Sequence, residues 1–378
     1  MRVVAILVVL LGTACAYEPL DSDPAALAPV DDDDQALVAI EPMVSTDAVR
    51  EPLAGLAPET TSPHQWRFAV LSDLHLPNPR SAVIDREVSA MIGMGVRFVV
   101  VTGDHTNGSA GVDHRRGRVN AWWASVTGAL APLRDAGIPV LPIAGNHDTY
   151  LPWQREGFER AFGDLDRWAA PLEVHPAAGH GFARAPYSYS VDVDGVHLAL
   201  ANIVDQSVDR DVSTWLTDDL ATASNARVRI VFGHVPLFSV VARPPRGFVD
   251  QLGGILARGN VDFYVAGHEH VTWDETFAVG AGEALRQVTV GCASGFYVFA
   301  PAKAARARAG CEPSGPRGSL RCTMPNGGQF ELVRDRSKRM IEHDAATFTV
   351  FTVTGDDVQV TPMTVDADGQ ARAFYLMP

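Results

Sequence analysis

Five apolar runs, each stopping abruptly at residues able to bind a metal, constrain this chain more than any other feature. Run 67–71 stops at Ser72-Asp73-Leu74-His75 and run 96–102 at Gly103-Asp104. Run 138–143 stops at Ala144-Gly145-Asn146-His147-Asp148, run 228–232 at Gly233-His234, and run 261–265 just before Gly267-His268-Glu269-His270. Short apolar runs bounded by turn residues read as buried strands. Between the first three, residues 81–94 and 118–136 have helical spacing, the second placing Trp122, Trp123, Val126, Leu130 and Leu133 on one apolar face. Strands alternating with helices are the pattern of a parallel α/β sheet. Parallel strands bring their carboxyl ends to one edge, where ligands of such sheets bind.

The rest of the chain continues the alternation. Residues 155–162 read as a short helix, and runs 187–193 and 196–203 flank Asp194-Gly195, a hairpin turn. A helix carrying Trp215 and Leu220 follows, then one over 248–257, a short strand at 287–290, and a last hairpin of 347–353 and 358–365. No Gly-x-Gly-x-x-Gly follows the first strand, which excludes a Rossmann-type dinucleotide site there.

Composition matters chiefly at the amino end. Arg2, the apolar run 3–11 and the small residues around Cys15 predict a signal peptide over 1–16, too short to span a bilayer. Cys15 suits lipidation in an exported envelope protein, with simple secretion to the periplasm or medium as the alternative. Residues 17–64 hold eleven acidic residues against Arg50, with seven prolines. They predict a disordered tether, because too little apolar surface is present to offset the entropy of ordering. Ten of the chain's −14 net charge therefore belong to the tether, and the acidity does not argue against an anionic substrate. Residues 65–378 form the expected domain, interrupted by a basic insertion at 300–346 in which Cys311 and Cys322 close the shortest loop and are the expected disulfide. Cys292 reads as a small buried hydrophobe.

Five of the twelve histidines fall at the strand ends, joined by Asp73, Asp104, Asn146 and Asp148. Nitrogen and oxygen donors with no cysteine among them suit borderline or hard divalent ions. A carboxylate shared by two ions, beside a proton carrier, is the apparatus that in-line displacement at phosphorus needs.

With all five blocks present in order over residues 67–295, the chain resembles the calcineurin-like metallophosphoesterases. The resemblance implies a four-layer α/β/β/α sandwich with two central mixed sheets. It also implies two divalent or mixed-valence ions (Mn, Fe or Zn): Asp73, His75 and His270 around the first, Asn146, His234 and His268 around the second, and Asp104 between them. A hydroxide between the ions would attack phosphorus. His147, oriented by Asp148, would contact the phosphoryl group or protonate the leaving oxygen. Purple acid phosphatases carry Gly where this chain has His75 and Tyr where it has Asn107, which argues against a tyrosinate-bound ferric site. Asp148 stands where the Ser/Thr protein phosphatases carry Glu, which points to the phosphodiesterase branches. The substrate expected is thus a phosphoester, a diester in preference to a monoester, with no specific nucleic-acid partner. A phosphomonoesterase of the same fold remains an alternative, as does a non-catalytic envelope protein binding anionic partners through the basic insertion. His105 and Asn107 are further candidates for substrate contact, and Trp153 and Trp273 for stacking, with core packing the better reading of the two tryptophans.

Overall fold

β1 (Gln65–Leu71), α1 (Ser81–Gly93), β2 (Val99–Val101), α2 (Arg116–Asp135) and β3 (Val140–Pro142) follow one another as the alternation requires, and the three strands pair side by side in parallel. Both faces of these strands are buried, hence their unbroken apolar runs. Ala69, Leu71, Val99, Val101 and Val140 pack under α1 and α2, while Phe68, Val70, Phe98, Val100 and Leu141 point the other way. The computed structural model describes residues 65–78, 81–109, 116–239, 244–270, 272–279, 283–293, 311–313, 320–323, 329–332 and 346–373. The expected signal peptide, Cys15, the acidic tether and most of the basic insertion lie outside the described residues.

After β3 come α3 (Pro152–Phe162), which packs on α2, and the single turn α4 (Leu165–Ala169). A second sheet is then built from β4 (Val174–Ala178), β5 (Arg184–Val193), β6 (Val196–Leu200), β7 (Val228–Phe232), β8 (Phe263–Ala266), β9 (Trp273–Val279) and β10 (Glu283–Thr289). Its order is β4-β5-β6-β7-β8-β10-β9, with β6, β7, β8 and β10 parallel and the edges antiparallel. Helices α5 (Arg210–Thr222) and α6 (Arg246–Arg258) cover its outer face through Val212, Leu216, Leu252 and Leu256. A small antiparallel sheet of β11 (Cys311–Pro313), β12 (Leu320–Thr323) and β13 (Gln329–Leu332) sets Cys311 and Cys322 opposite each other in backbone register. β14 (Ala346–Thr354) then pairs antiparallel with β1, so that with β15 (Asp357–Val365) and β16 (Ala371–Ala373) the first sheet reads β16-β15-β14-β1-β2-β3.

The two sheets meet face to face. Phe68 stacks on Phe98 and Phe351 with ring centroids 4.9 and 4.8 Å apart, and its edge meets Phe232 of the second sheet at 6.3 Å. Each such fully buried ring contributes about 2–3 kcal/mol of transfer free energy, and this apolar layer holds the two sheets together. The architecture is the four-layer α/β/β/α sandwich with two mixed sheets. One expectation needs correction: the five motif-bearing strands do not share a sheet edge. β1, β2 and β3 belong to one sheet and β7 and β8 to the other, and the five ends meet because the sheets are stacked with those ends on the same side.

Candidate metal centre

The loops leaving β1, β2, β3, β7 and β8 are bent by an unusual backbone. Seven non-glycine residues among those described have positive φ, and five of them are Asp73 (55°), His75 (46°), Asp104 (51°), His268 (69°) and His270 (58°). Left-handed conformations are costly for such side chains and persist where surrounding structure enforces them, typically at functional sites. The loops are also too close together for ordinary side chains at two points. A Cβ on Gly145 would lie 2.1 Å from Asp104 Oδ1, and one on Gly267 would lie 1.7 Å from Ser72 Oγ. Glycine there lets one loop's backbone touch the next loop's side chain.

Hydrogen bonds then aim each donor inward. Asp73 Oδ2 accepts from Ser72 Oγ at 2.6 Å and from the His268 backbone N–H at 3.0 Å. Its Oδ1, fully buried and without a hydrogen bond, faces His270 Nε2 at 3.3 Å and His75 Nε2 at 3.9 Å. His75 Nε2 and His270 Nε2 are 3.2 Å apart. Asp104 Oδ1 accepts from the His147 backbone N–H at 2.9 Å, which leaves Oδ2 to face His234 Nε2 at 3.2 Å, and His75 and His147 Nε2 at 3.9 Å each. His234 donates from Nδ1 to the Thr102 carbonyl at 2.8 Å, so its Nε2 is the atom presented. Asn146 Oδ1 lies 2.9 Å from His234 Nε2 and 2.9 Å from His268 Nδ1.

Three triads of ligand atoms, Asp73–His75–His270, His75–Asp104–His147 and Asp104–His234–His268, each lie within 4.8 Å. Separations of about 3 to 3.5 Å are the edges of a polyhedron whose metal–ligand bonds are about 2.0–2.2 Å. The donor set therefore fits two cations, and Asp104, which belongs to two of the three triads, would serve both. Protonation agrees with this. Burial pushes Asp73 upward, but the adjacent His270 outweighs it and holds the carboxyl down to about 2. Burial likewise opposes ionisation of Asp104, yet His234 and His147 keep it well below the usual range. Burial and His147 hold His75 well below its ordinary value, and burial and His234 hold His268 down to about 3. His234 alone runs the other way. Burial lowers it, but Asp104 raises it to about 9, so a cation entering the second half displaces a proton from it.

All seven sequence-predicted ligands converge, and His147 stands beside them with Nε2 toward Asp104 and Nδ1 donating to the Gly108 carbonyl. Asp148 does not do what adjacency suggested. Its buried carboxylate accepts from the backbone N–H groups of His105 (3.1 Å), Thr106 (3.1 Å) and Gly145 (3.0 Å), and from His105 Nδ1 (2.9 Å) and Thr106 Oγ1 (3.1 Å). It braces the β2 loop against the β3 loop and leaves His147 to Gly108. His105, considered for substrate contact, is fully buried against Trp123, Phe158 and Phe162. Asn107 donates to the Pro77 carbonyl, Glu269 accepts from Ser239, and Trp273 packs on Phe277 in the outer core. Trp153 packs against the core of the helical layer. Ser72, Thr102 and Tyr150 are contributors that the strand-end pattern could not show, because none is a ligand; Tyr150 Oη lies 2.5 Å from Asn146 Nδ2.

A family model for the calcineurin-like phosphoesterases matches residues 67–272, more than half of the 378. No curated protein matches the chain. Among solved structures, a dimetal phosphatase from Danio rerio is similar at 15% identity and TM-score 0.45, covering 60% of this chain and 87% of its own. GAP50, the anchor in the inner membrane complex of Plasmodium, is similar at 13% identity and TM-score 0.44, covering 83% and 90%. A Thermus thermophilus protein, TT1561, is similar at 9% identity and TM-score 0.36, covering 71% and 98%.

Proposed function

The chain belongs to the calcineurin-like phosphoesterases and is a metal-dependent phosphoester hydrolase, and on that premise we propose that it cleaves phosphodiesters at the five-loop centre. The observation that carries the assignment of the centre is the convergence of seven ligand groups, five of them buried and five of them on left-handed backbone, about one shared carboxylate. Asp73, His75 and His270 would hold one ion, Asn146, His234 and His268 the other, and Asp104 both. Two such ions, when bound, lower the pKa of a water and neutralise the oxygens of the phosphoryl group.

The chain's own residues supply the rest. Asp104 keeps Oδ2 in the centre because Oδ1 is occupied by the His147 backbone, so the loop that brings the shared carboxylate is tied to the loop that brings the proton carrier. His147, with Nδ1 donating to Gly108, keeps Nε2 on the side of Asp104 and would be the group that hands a proton to the leaving oxygen. The preference for diesters is supported by Asp148 at the position where protein phosphatases have Glu.

A paired assay tests both parts. Metal-stripped protein is reconstituted with Mn, Zn or Fe and given bis(p-nitrophenyl) phosphate or p-nitrophenyl phosphate. Faster diester cleavage, abolished by chelator and absent in Asp104→Ala, is expected. Full turnover by metal-stripped Asp104→Ala sinks the dinuclear reading, whereas faster monoester cleavage overturns the diester preference alone.

A further inference from the structure

Asn146 is the proposed ligand that, simply by flipping, would turn a non-ligating NH₂ group toward the cations. The two ends of a primary amide are nearly the same shape, but only the oxygen can bind a cation, and the NH₂ end turned inward would oppose one. In the structure Oδ1 faces His234 Nε2 and His268 Nδ1 at 2.9 Å each, and Nδ2 is directed at Tyr150 Oη, 2.5 Å away. Tyr150 reaches that place because residues 145–150 wind into a helical turn: Thr149 N–H and Tyr150 N–H both donate to the Asn146 carbonyl at 3.1 Å. Positions four apart on such a turn lie on the same face. The turn is itself pinned by Thr149 Oγ1, which donates to the Gly145 carbonyl at 3.0 Å. The Tyr150 ring also stands edge-on to the His147 ring, with centroids 5.5 Å apart at 70°.

We propose that Tyr150 is a positioning residue of the metal centre, its hydroxyl accepting from Asn146 Nδ2 so that the amide presents oxygen to the second cation, and its ring bracing the His147 imidazole. The inference rests on the dinuclear reading of the site. It goes further by assigning the second cation's affinity to a residue that touches neither cation nor substrate. Partners of this kind are worth about 10- to 100-fold in metal affinity.

The test is calorimetric titration of metal-free protein with Mn²⁺, comparing wild type, Tyr150→Phe, Asn146→Asp and the double variant. Wild type should bind two ions. Tyr150→Phe should weaken one of the two sites about 10-fold and leave the other site and the thermal midpoint of the metal-free protein unchanged. In the Asn146→Asp background either carboxylate oxygen can serve, so Tyr150→Phe should no longer weaken that site. Unchanged affinity at both sites in Tyr150→Phe overturns the proposal. So does an equal loss at both sites with a lowered thermal midpoint, since that is the mark of a purely structural residue. Wild type binding fewer than two ions removes the dinuclear reading, and this inference with it, a result distinct from either of those.

Discussion

Replacing Asp148 with alanine removes the acceptor for three buried backbone N–H groups, those of His105, Thr106 and Gly145, together with His105 Nδ1 and Thr106 Oγ1. Asp148, His105 and Thr106 are all fully buried, each with a relative accessibility of 0%. Each buried donor left without a partner costs about 1–3 kcal/mol. Three such donors, partly relieved by water entering the space of the lost carboxylate, give about 3–6 kcal/mol. Against a total stability of about 5–15 kcal/mol for a typical domain this is severe, and it falls on the loop that carries Asp104. The expected outcome is a lowered urea midpoint in the metal-free protein and a loss of bound metal by elemental analysis, with activity falling as a consequence. Asp148→Asn, which keeps one acceptor oxygen but turns an NH₂ toward some of the same donors, should lie between. Were Asp148 instead the group that orients His147, Asp148→Ala would keep its stability and its two ions and lose only kcat, with an altered pH profile. That result would refute the bracing role.

Two stability predictions concern groups away from the centre. Glu87 on α1 is fully buried with neither carboxyl oxygen hydrogen-bonded, and burial, only partly offset by Arg86, raises its pKa well above the ordinary value. The folded protein therefore holds that proton where the unfolded chain has released it, so stability falls as pH rises above about 4.5; Glu87→Met should remove that slope and raise stability at pH 8 by about 1–3 kcal/mol, measured by urea melts across pH. His197, pinned between Asp192 at 2.9 Å and Asp219 at 2.8 Å, has its pKa raised despite burial because the two carboxylates outweigh it, Asp219 first. Its contribution is complete below about pH 6.5 and is lost as pH rises through the folded value, so the difference in stability between wild type and His197→Gln, read from urea melts, should shrink across that interval.

The strand ends were legible because the physics there is local. An apolar run that stops at Gly-Asp or Gly-His declares both a buried strand and a change of chemistry, and β7 coincides with run 228–232 to the residue. Sheet membership was not legible, for a reason visible in β2. Val99, Val100 and Val101 are all buried, so alternation carries no record of which face meets which layer. The partner of β1 on its other side is β14, which begins at Ala346 and is brought in only by the closing of the whole chain. The edge strand β9 spaces its buried Trp273, Phe277 and Val279 with Asp274, Glu275 and Thr276, so no continuous apolar run marks it.

The third block shows the same limit at the scale of one turn. Reading His147 and Asp148 as partners assumed that neighbours in sequence face each other. In the structure Asp148 N–H donates to the Gly145 carbonyl and Tyr150 N–H to that of Asn146, so the segment is helical in its winding and successive side chains diverge by about 100°. Divergence sends the Asp148 carboxylate back to the β2 loop while His147 faces the metal ligands. The same winding brings Tyr150, four residues on, beneath Asn146. The misplaced role of Asp148 and the overlooked one of Tyr150 are thus two consequences of a single backbone turn. A sequence reading that treats any Gly-Asn-His-Asp block as the first turn of a helix would pair Asn146 with Tyr150 and leave Asp148 to look for donors on another strand's loop.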